Sequence, residues 1–240
     1  GTASDGITSD NQLIIAGTAE ANASVEVFID AGSIGTATAD GSGNWSFDHT
    51  GTTLADGSYA ITAAATDASG NTSSTSSALN ITVDTAAPAA PAVTAITDDT
   101  GTASDGITSD NQLIIAGTAE ANASVEVFID AGSIGTTTAD GSGNWSFDHT
   151  GTTLSDGSYA ITAAAMDASG NTSAASSALN VTVDTAAPAA PAVTAITDDT
   201  GTASDGITSD NQLVITGTAE ANASVEVFID AGSIGTTTAD

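Results

Sequence analysis

Carboxylates gather in one recurring stretch of this chain. Residues 98–111, DDTGTASDGITSDN, carry Asp98, Asp99, Asp105 and Asp110, and no Lys or Arg occurs anywhere in the sequence. Such a stretch suits a hard divalent cation. Calcium takes about six to eight oxygens from carboxylates and carbonyls, on a backbone able to bend around the ion. Gly101 and Gly106 offer curvature and Asn111 a neutral oxygen. The stretch returns with Asp198, Asp199, Asp205 and Asp210, and its tail opens the chain with Asp5 and Asp10. It is not an EF-hand, because the D-x-D-x-D-G spacing and the closing Glu are missing. The competing reading is a solvated acidic turn, since Asp and Gly are ordinary turn residues. The lack of any counter-cation in the chain favours Ca2+.

Composition sharpens the point. The 240 residues include 30 Asp plus Glu and two His, for a formal charge of −30. That charge keeps a chain soluble but works against a compact state by self-repulsion. Nucleic acid is excluded as a partner, because phosphate binding needs Lys or Arg to displace counterions. Direct membrane insertion is excluded too, since no apolar run approaches the roughly 18–20 residues that span a bilayer. Cysteine is absent, which removes disulfides, zinc–thiolate sites and thiol nucleophiles.

The elements that must hold these loops follow a repeat. Residues 1–100 and 101–200 differ only at positions 37, 55, 66, 74, 75 and 81, and 201–240 repeats 101–140 with two changes. A 100-residue period fits an independently folding domain rather than a solenoid unit. Within one period, short runs such as QLIIAGT, SVEVFID, NWSFDH, YAITAAAT and ALNITVD alternate with Gly/Asp/Asn/Ser clusters, the pattern of strands and turns. Counting PAVTAI, there are about seven strands per repeat, and the fold class is all-β: tandem antiparallel sandwiches. Residues 88–187 hold a full set. Residues 1–87 lack the first strand, and 188–240 end after about the fourth, so the chain reads as an excerpt of a longer array.

Alternation assigns faces. Ile114 and Ala116 become Val214 and Thr216, so that parity faces water and Leu113 and Ile115 face the core. By the same rule Val125, Val127, Ile129, Trp145, Phe147, Tyr159, Ile161, Ala163, Leu179, Val181 and Val183 point inward. Met166 and Phe128 point outward. The run LADGSY places Tyr59 where a tyrosine corner would bond its hydroxyl back to upstream backbone.

These runs in this order, from DTAAPAAPAVTAITDDTGTASDGITSDNQLIIAGT through GNWSF and LADGSYAITAAATDASGNTS to ALNITVDT, resemble the bacterial Ig-like repeats of giant biofilm-associated and repeats-in-toxin type adhesins. The resemblance covers the whole chain. It implies an extracellular, cell-surface stalk that projects a distal ligand-binding region for adhesion, with neighbouring repeats as partners. It also implies calcium near domain junctions. Neither a tip module nor an anchor is among these residues.

The sandwich topology puts the acidic loop at the end of the domain where the last strand exits, near Asp184. At the junction between the first two repeats, Asp84 would then face Asp167, Asn171 and Asp140 of the next DASGN- and DGSGN-type loops. A bridging ion there competes with simple turn chemistry. Asp56 and Asp156 precede Gly and read as turn formers. His49 and His149 adjoin Asp48 and Asp148 on strands, where neighbours face opposite ways, so no Ser-His-Asp arrangement forms. No enzyme is indicated. Two functions stay open: a spacer whose length scales with copy number, or a weak multivalent surface- or glycan-binding array acting by avidity.

Overall fold

The computed structural model describes residues 5–97, 99–197, 200–202, 205 and 207–240. They form two units, Gly1–Asp184 and Thr185–Asp240. The first repeat contributes β1 (Ile7–Thr8), β2 (Ile14–Thr18), β3 (Ser24–Ile29), β4 (Gly32–Thr38), β5 (Asn44–Asp48), β6 (Gly57–Thr66) and β7 (Leu79–Val83). The second contributes β8 (Ala92–Thr97), β9 (Ile107–Thr108), β10 (Ile114–Thr118), β11 (Ser124–Ile129), β12 (Gly132–Thr138), β13 (Asn144–Asp148), β14 (Gly157–Met166) and β15 (Leu179–Val183). The second unit holds β16 (Ala192–Thr197), β17 (Val214–Thr218), β18 (Ser224–Ile229) and β19 (Gly232–Thr238). Among the described residues there is no helix, and the fold is all-β.

In the second repeat one sheet runs β12-β11-β14-β15-β9 and the other β13-β10-β8. Their inner faces enclose a core of Leu113, Ile115, Val125, Val127, Trp145, Ile161 and Val181. Burying a Val, Leu or Ile side chain is worth about 1.5–3 kcal/mol, and the period-2 alternation delivers these side chains to one face of each strand. Of the residues expected inside, Ile129, Phe147, Tyr159 and Leu179 are half-buried rather than sealed, and Met166 is exposed as expected. Phe128 departs from the expected outward placement and is half-buried, next to a register shift between Val127 and Phe128 where β11 pairs with β12. Ile114 is likewise half-buried beside β8, although its counterpart Ile14 is 67% exposed.

One strand was not legible as such. β9 lies inside the acidic stretch and pairs parallel to β15, Ile107 opposite Thr182 and Thr108 opposite Val183. Two residues among Asp, Gly and Ser give no alternation to read. Gly106 makes the approach possible: its φ is +75°, and a Cβ there would sit 2.7 Å from the Asn180 carbonyl oxygen. The first repeat repeats this arrangement with β1 against β7.

Turns are built on aspartate. In 40–44 and 67–71, both of pattern D-x-S-G-N, the first Asp accepts the amides of the third and fifth residues through Oδ1 at 2.8–2.9 Å. The β11–β12 hairpin turns on Asp130 and Ala131, both left-handed at φ 48° and 66°, and Asp130 Oδ1 accepts the Ala160 amide. The tyrosine corner is present twice: the Tyr59 hydroxyl donates to the Ala55 carbonyl and Tyr159 to Ser155, both at 2.8 Å.

In the first repeat the five-stranded sheet β1-β7-β6-β3-β4 faces a two-stranded β2-β5 sheet. Among the described residues, nothing pairs with the other edge of β2. The second unit consists of two ribbons, β16-β17 and β18-β19.

Candidate functional site

The acidic loop of the second repeat is shaped by its own hydroxyls and amides. Asp99 Oδ2 accepts the Ser104 amide at 2.6 Å, with Ser104 left-handed at φ 67°. Thr100 Oγ1 accepts the Ser109 amide at 2.7 Å and sits 3.3 Å from Thr108 Oγ1. Asp105 Oδ1 accepts the Ile107 amide and Asp110 Oδ1 the Gln112 amide, each at 2.9 Å. The Thr182 amide donates to the Gly106 carbonyl and the Asp184 amide to the Thr108 carbonyl, so the loop does sit where the last strand exits.

The other copies follow the same scheme. Asp5 and Asp10 accept the amides of Ile7 and Gln12. Asp205 and Asp210 accept those of Ile207 and Gln212. Asp98, Asp198 and Asp199 lie outside the described residues. Each of these turn aspartates therefore commits one carboxylate oxygen to local backbone, which is the turn chemistry their residue types allow.

One atom stands apart. Asp99 Oδ1 is buried and has no hydrogen-bond partner. A buried carboxylate oxygen without a donor is costly, and a cation would remove that cost. Among the described residues no group of three or more His, Asp or Glu side chains is gathered as a metal would require. An ion at Asp99 Oδ1 would therefore find no described cluster of carboxylates or histidines to complete its shell.

The junction between the first two repeats brings three of the expected residues together. The Asn171 side-chain amide donates to the Asp84 carbonyl oxygen at 2.8 Å and to Asp167 Oδ2 at 2.9 Å. Ser169, which sequence reasoning passed over, donates its hydroxyl to Asp84 Oδ2 at 3.0 Å. Asp84 Oδ1 accepts the Ala86 amide. Polar groups here are thus satisfied by direct contact. Asp140, also expected here, accepts amides from Ser142 and Asn144 of its own turn.

Contact changes the environment of an otherwise repeated loop. Ser169 is 2% exposed, whereas Ser69, in the same sequence context, is exposed. Burial pushes the Asp167 carboxyl upward, but donors from the Asn171 side chain and from the Asn171, Gly170 and Ser169 amides outweigh it and hold the group below 3.8. Asp56 also gains a partner beyond its own turn: Oδ1 accepts the amide and hydroxyl of Thr85 in the linker, at 2.9 and 2.8 Å.

Comparison with curated proteins finds no match. Among solved structures, fibronectin(III)-like modules of Clostridium thermocellum CbhA align at 17% identity over 74% of this chain and 88% of theirs, with a TM-score of 0.44. The BSP domain of a biofilm-associated protein aligns at 23% identity over 75% of this chain, which spans 29% of that one, at 0.30. A 1.5-MDa bacterial ice-binding adhesin aligns at 19% identity over 98% of this chain and 79% of that one, at 0.39. A family model described as a bacterial Ig-like domain matches residues 1–85 and again 87–185, and a second, group 3 model matches 143–234. The chain belongs to the bacterial Ig-like domain family.

Proposed function

We propose that this chain is a spacer segment of a bacterial surface adhesin, an extracellular array in which each Ig-like repeat adds length and the junctions between repeats resist bending. The observation that carries this reading is the direct polar contact of Ser169 and Asn171 with Asp84. It fixes the exit of one repeat against the entry loop of the next, and the partners of each repeat are its neighbours in the same chain. Near-identical copies suit length better than catalysis, and the reading assigns no reaction.

Calcium has a restricted place in this proposal. The buried, donorless Asp99 Oδ1 supports a single ion at the acidic loop. A bridging ion at Asp84 is not needed, because the carboxylate already has hydroxyl and amide donors. Bound at Asp99, Ca2+ would supply the acidic loop with positive charge that the chain lacks.

Small-angle scattering of the chain and of its Ser169→Ala/Asn171→Ala variant tests the spacer. The reading expects the variant to scatter as a more flexible particle while retaining the sheet signature in circular dichroism. Equal stiffness in both proteins would refute it. Calorimetric titration with calcium separately tests the ion.

A further inference from the structure

Past β7 the chain runs Asp84, Thr85, Ala86, and the two polar side chains bond to different repeats. Thr85 bonds to its own: its amide and its hydroxyl both donate to Asp56 Oδ1, at 2.9 and 2.8 Å. Asp84 bonds to the next: Oδ2 accepts the Ser169 hydroxyl, and the carbonyl oxygen accepts the Asn171 side-chain amide. The Asp84 amide is tied to the first repeat as well, donating to the Thr8 carbonyl at 2.9 Å. The exit peptide is thus gripped from its own side on either flank of the atoms that dock.

Asp56 is in turn placed by the tyrosine corner. The Ala55 carbonyl accepts the Tyr59 hydroxyl at 2.8 Å, and Tyr59 is half-buried on β6. That carbonyl shares a rigid peptide plane with the Asp56 amide, so the bond fixes where the Asp56 side chain starts. Strand register brings it to the linker. Gly57 lies opposite Val83 and Ser58 opposite Thr82, and the antiparallel order continued by one step sets Asp56 beside Asp84. Sequence alone makes Asp56 a turn former before a glycine. Its bonds to Thr85 exceed that role, because they join residues 29 apart.

A loose linker would have to be ordered each time the repeats dock, and fixing backbone costs entropy. A segment already held in its bound conformation avoids that cost.

We propose that Asp56, directly, and Tyr59, through Ala55, are positioning residues for the junction: they hold Thr85 so that Asp84 meets Ser169 and Asn171 already in place. The proposal rests on the spacer reading of that junction and adds to it two residues of the first repeat. Without the Asp56 carboxylate, the undocked population should rise about tenfold.

The chain has no cysteine, so spin labels on Ser46→Cys and Ser146→Cys, at equivalent exposed positions, report the separation of the two repeats alone. Double electron–electron resonance on the 240-residue chain then compares variants. The expected result is one narrow distance in the parent and in Asp56→Asn, whose Oδ1 still accepts both Thr85 donors. Asp56→Ala should give a broad distribution and Tyr59→Phe a lesser broadening. Asp156→Ala and Tyr159→Phe remove the same groups from the second repeat and should leave the distance narrow. A narrow distance in Asp56→Ala overturns the proposal, as does equal broadening in Asp56→Ala and Asp156→Ala. The Ser169→Ala/Asn171→Ala variant separates the two readings. If it broadens while Asp56→Ala does not, only the positioning role falls; if it too stays narrow, the docking itself falls.

Discussion

The Asn171 side-chain amide lies 2.8 Å from the Asp84 carbonyl oxygen, across the boundary between two sequence repeats. The same amide also reaches Asp167 Oδ2. One side chain therefore closes its own turn and docks that turn on the preceding repeat. Asn71 closes the equivalent turn of the first repeat through Asp67 Oδ2 at 2.8 Å.

Removing these donors should loosen the junction without unfolding either sandwich. A net hydrogen bond is worth about 0.5–1.5 kcal/mol, rising to about 1.5–3 when one partner is charged. Asn171→Ala and Ser169→Ala together should therefore cost about 2–3 kcal/mol of docking free energy. Relaxation of backbone amides, compared between the two repeats, would show them tumbling separately in the double variant and together in the parent.

Acid should weaken the turn that docks at this junction. The Asp167 carboxyl lies below 3.8 when folded. A depressed folded value contributes stability that is complete above the unfolded value and lost as pH falls through the lower folded one. Thermal melts taken from about pH 5 downward should drop more steeply for the parent than for Asp167→Asn, whose side chain does not titrate. The difference between the two curves isolates this carboxyl from the other aspartates with lowered values, such as Asp40 and Asp148.

Asp99 gives a two-sided test of the cation. Without calcium, Asp99→Asn should match or exceed the parent in stability, because it removes a buried charge whose Oδ1 has no donor. With calcium in hundredfold excess over its dissociation constant, the parent should gain about 2.7 kcal/mol and the variant much less. Differential scanning calorimetry with and without chelator reads both arms. A parent melting temperature that ignores calcium removes the ion from the account.

The hairpin turns offer a stabilising change. Ala131 holds φ 66° and Ala31 holds 65°, a left-handed backbone that costs a residue with a Cβ about 1–2 kcal/mol. Ala131→Gly relieves that cost but pays about 0.5–1 kcal/mol in unfolded-chain entropy. A net gain of a few tenths to about 1 kcal/mol is expected, visible as a melting temperature higher by up to a few degrees. A lower melting temperature would show that the turn is not strained at this residue.

Much of this architecture can be read from the residues themselves. Leu113 against Ile114, or Val125 against Glu126, alternates as a half-buried strand must, and Tyr159 announced its corner by following a Leu and a tight turn. What could not be read depends on neighbours rather than local pattern. Ser69 and Ser169 sit in the same DASGN run, yet one is exposed and the other 2% exposed, because only the second receives Asp84. β9 is too short to show a period. The aspartates of the acidic loop gave a correct count of carboxylates but not their employment. An Asp that caps a turn and an Asp that grips an ion have the same letter and the same neighbours.

The parallel pairing of β9 with β15 has a mechanical consequence. Tension that enters through β9 and leaves through the far end of β15 would slide the two strands along each other. The Thr182–Gly106 and Asp184–Thr108 backbone bonds lie across that motion and would be loaded together, rather than unzipped one after another. The acidic stretch would thereby fasten the first part of the repeat to its last strand, as a shear clasp at the point where pulling force leaves the domain.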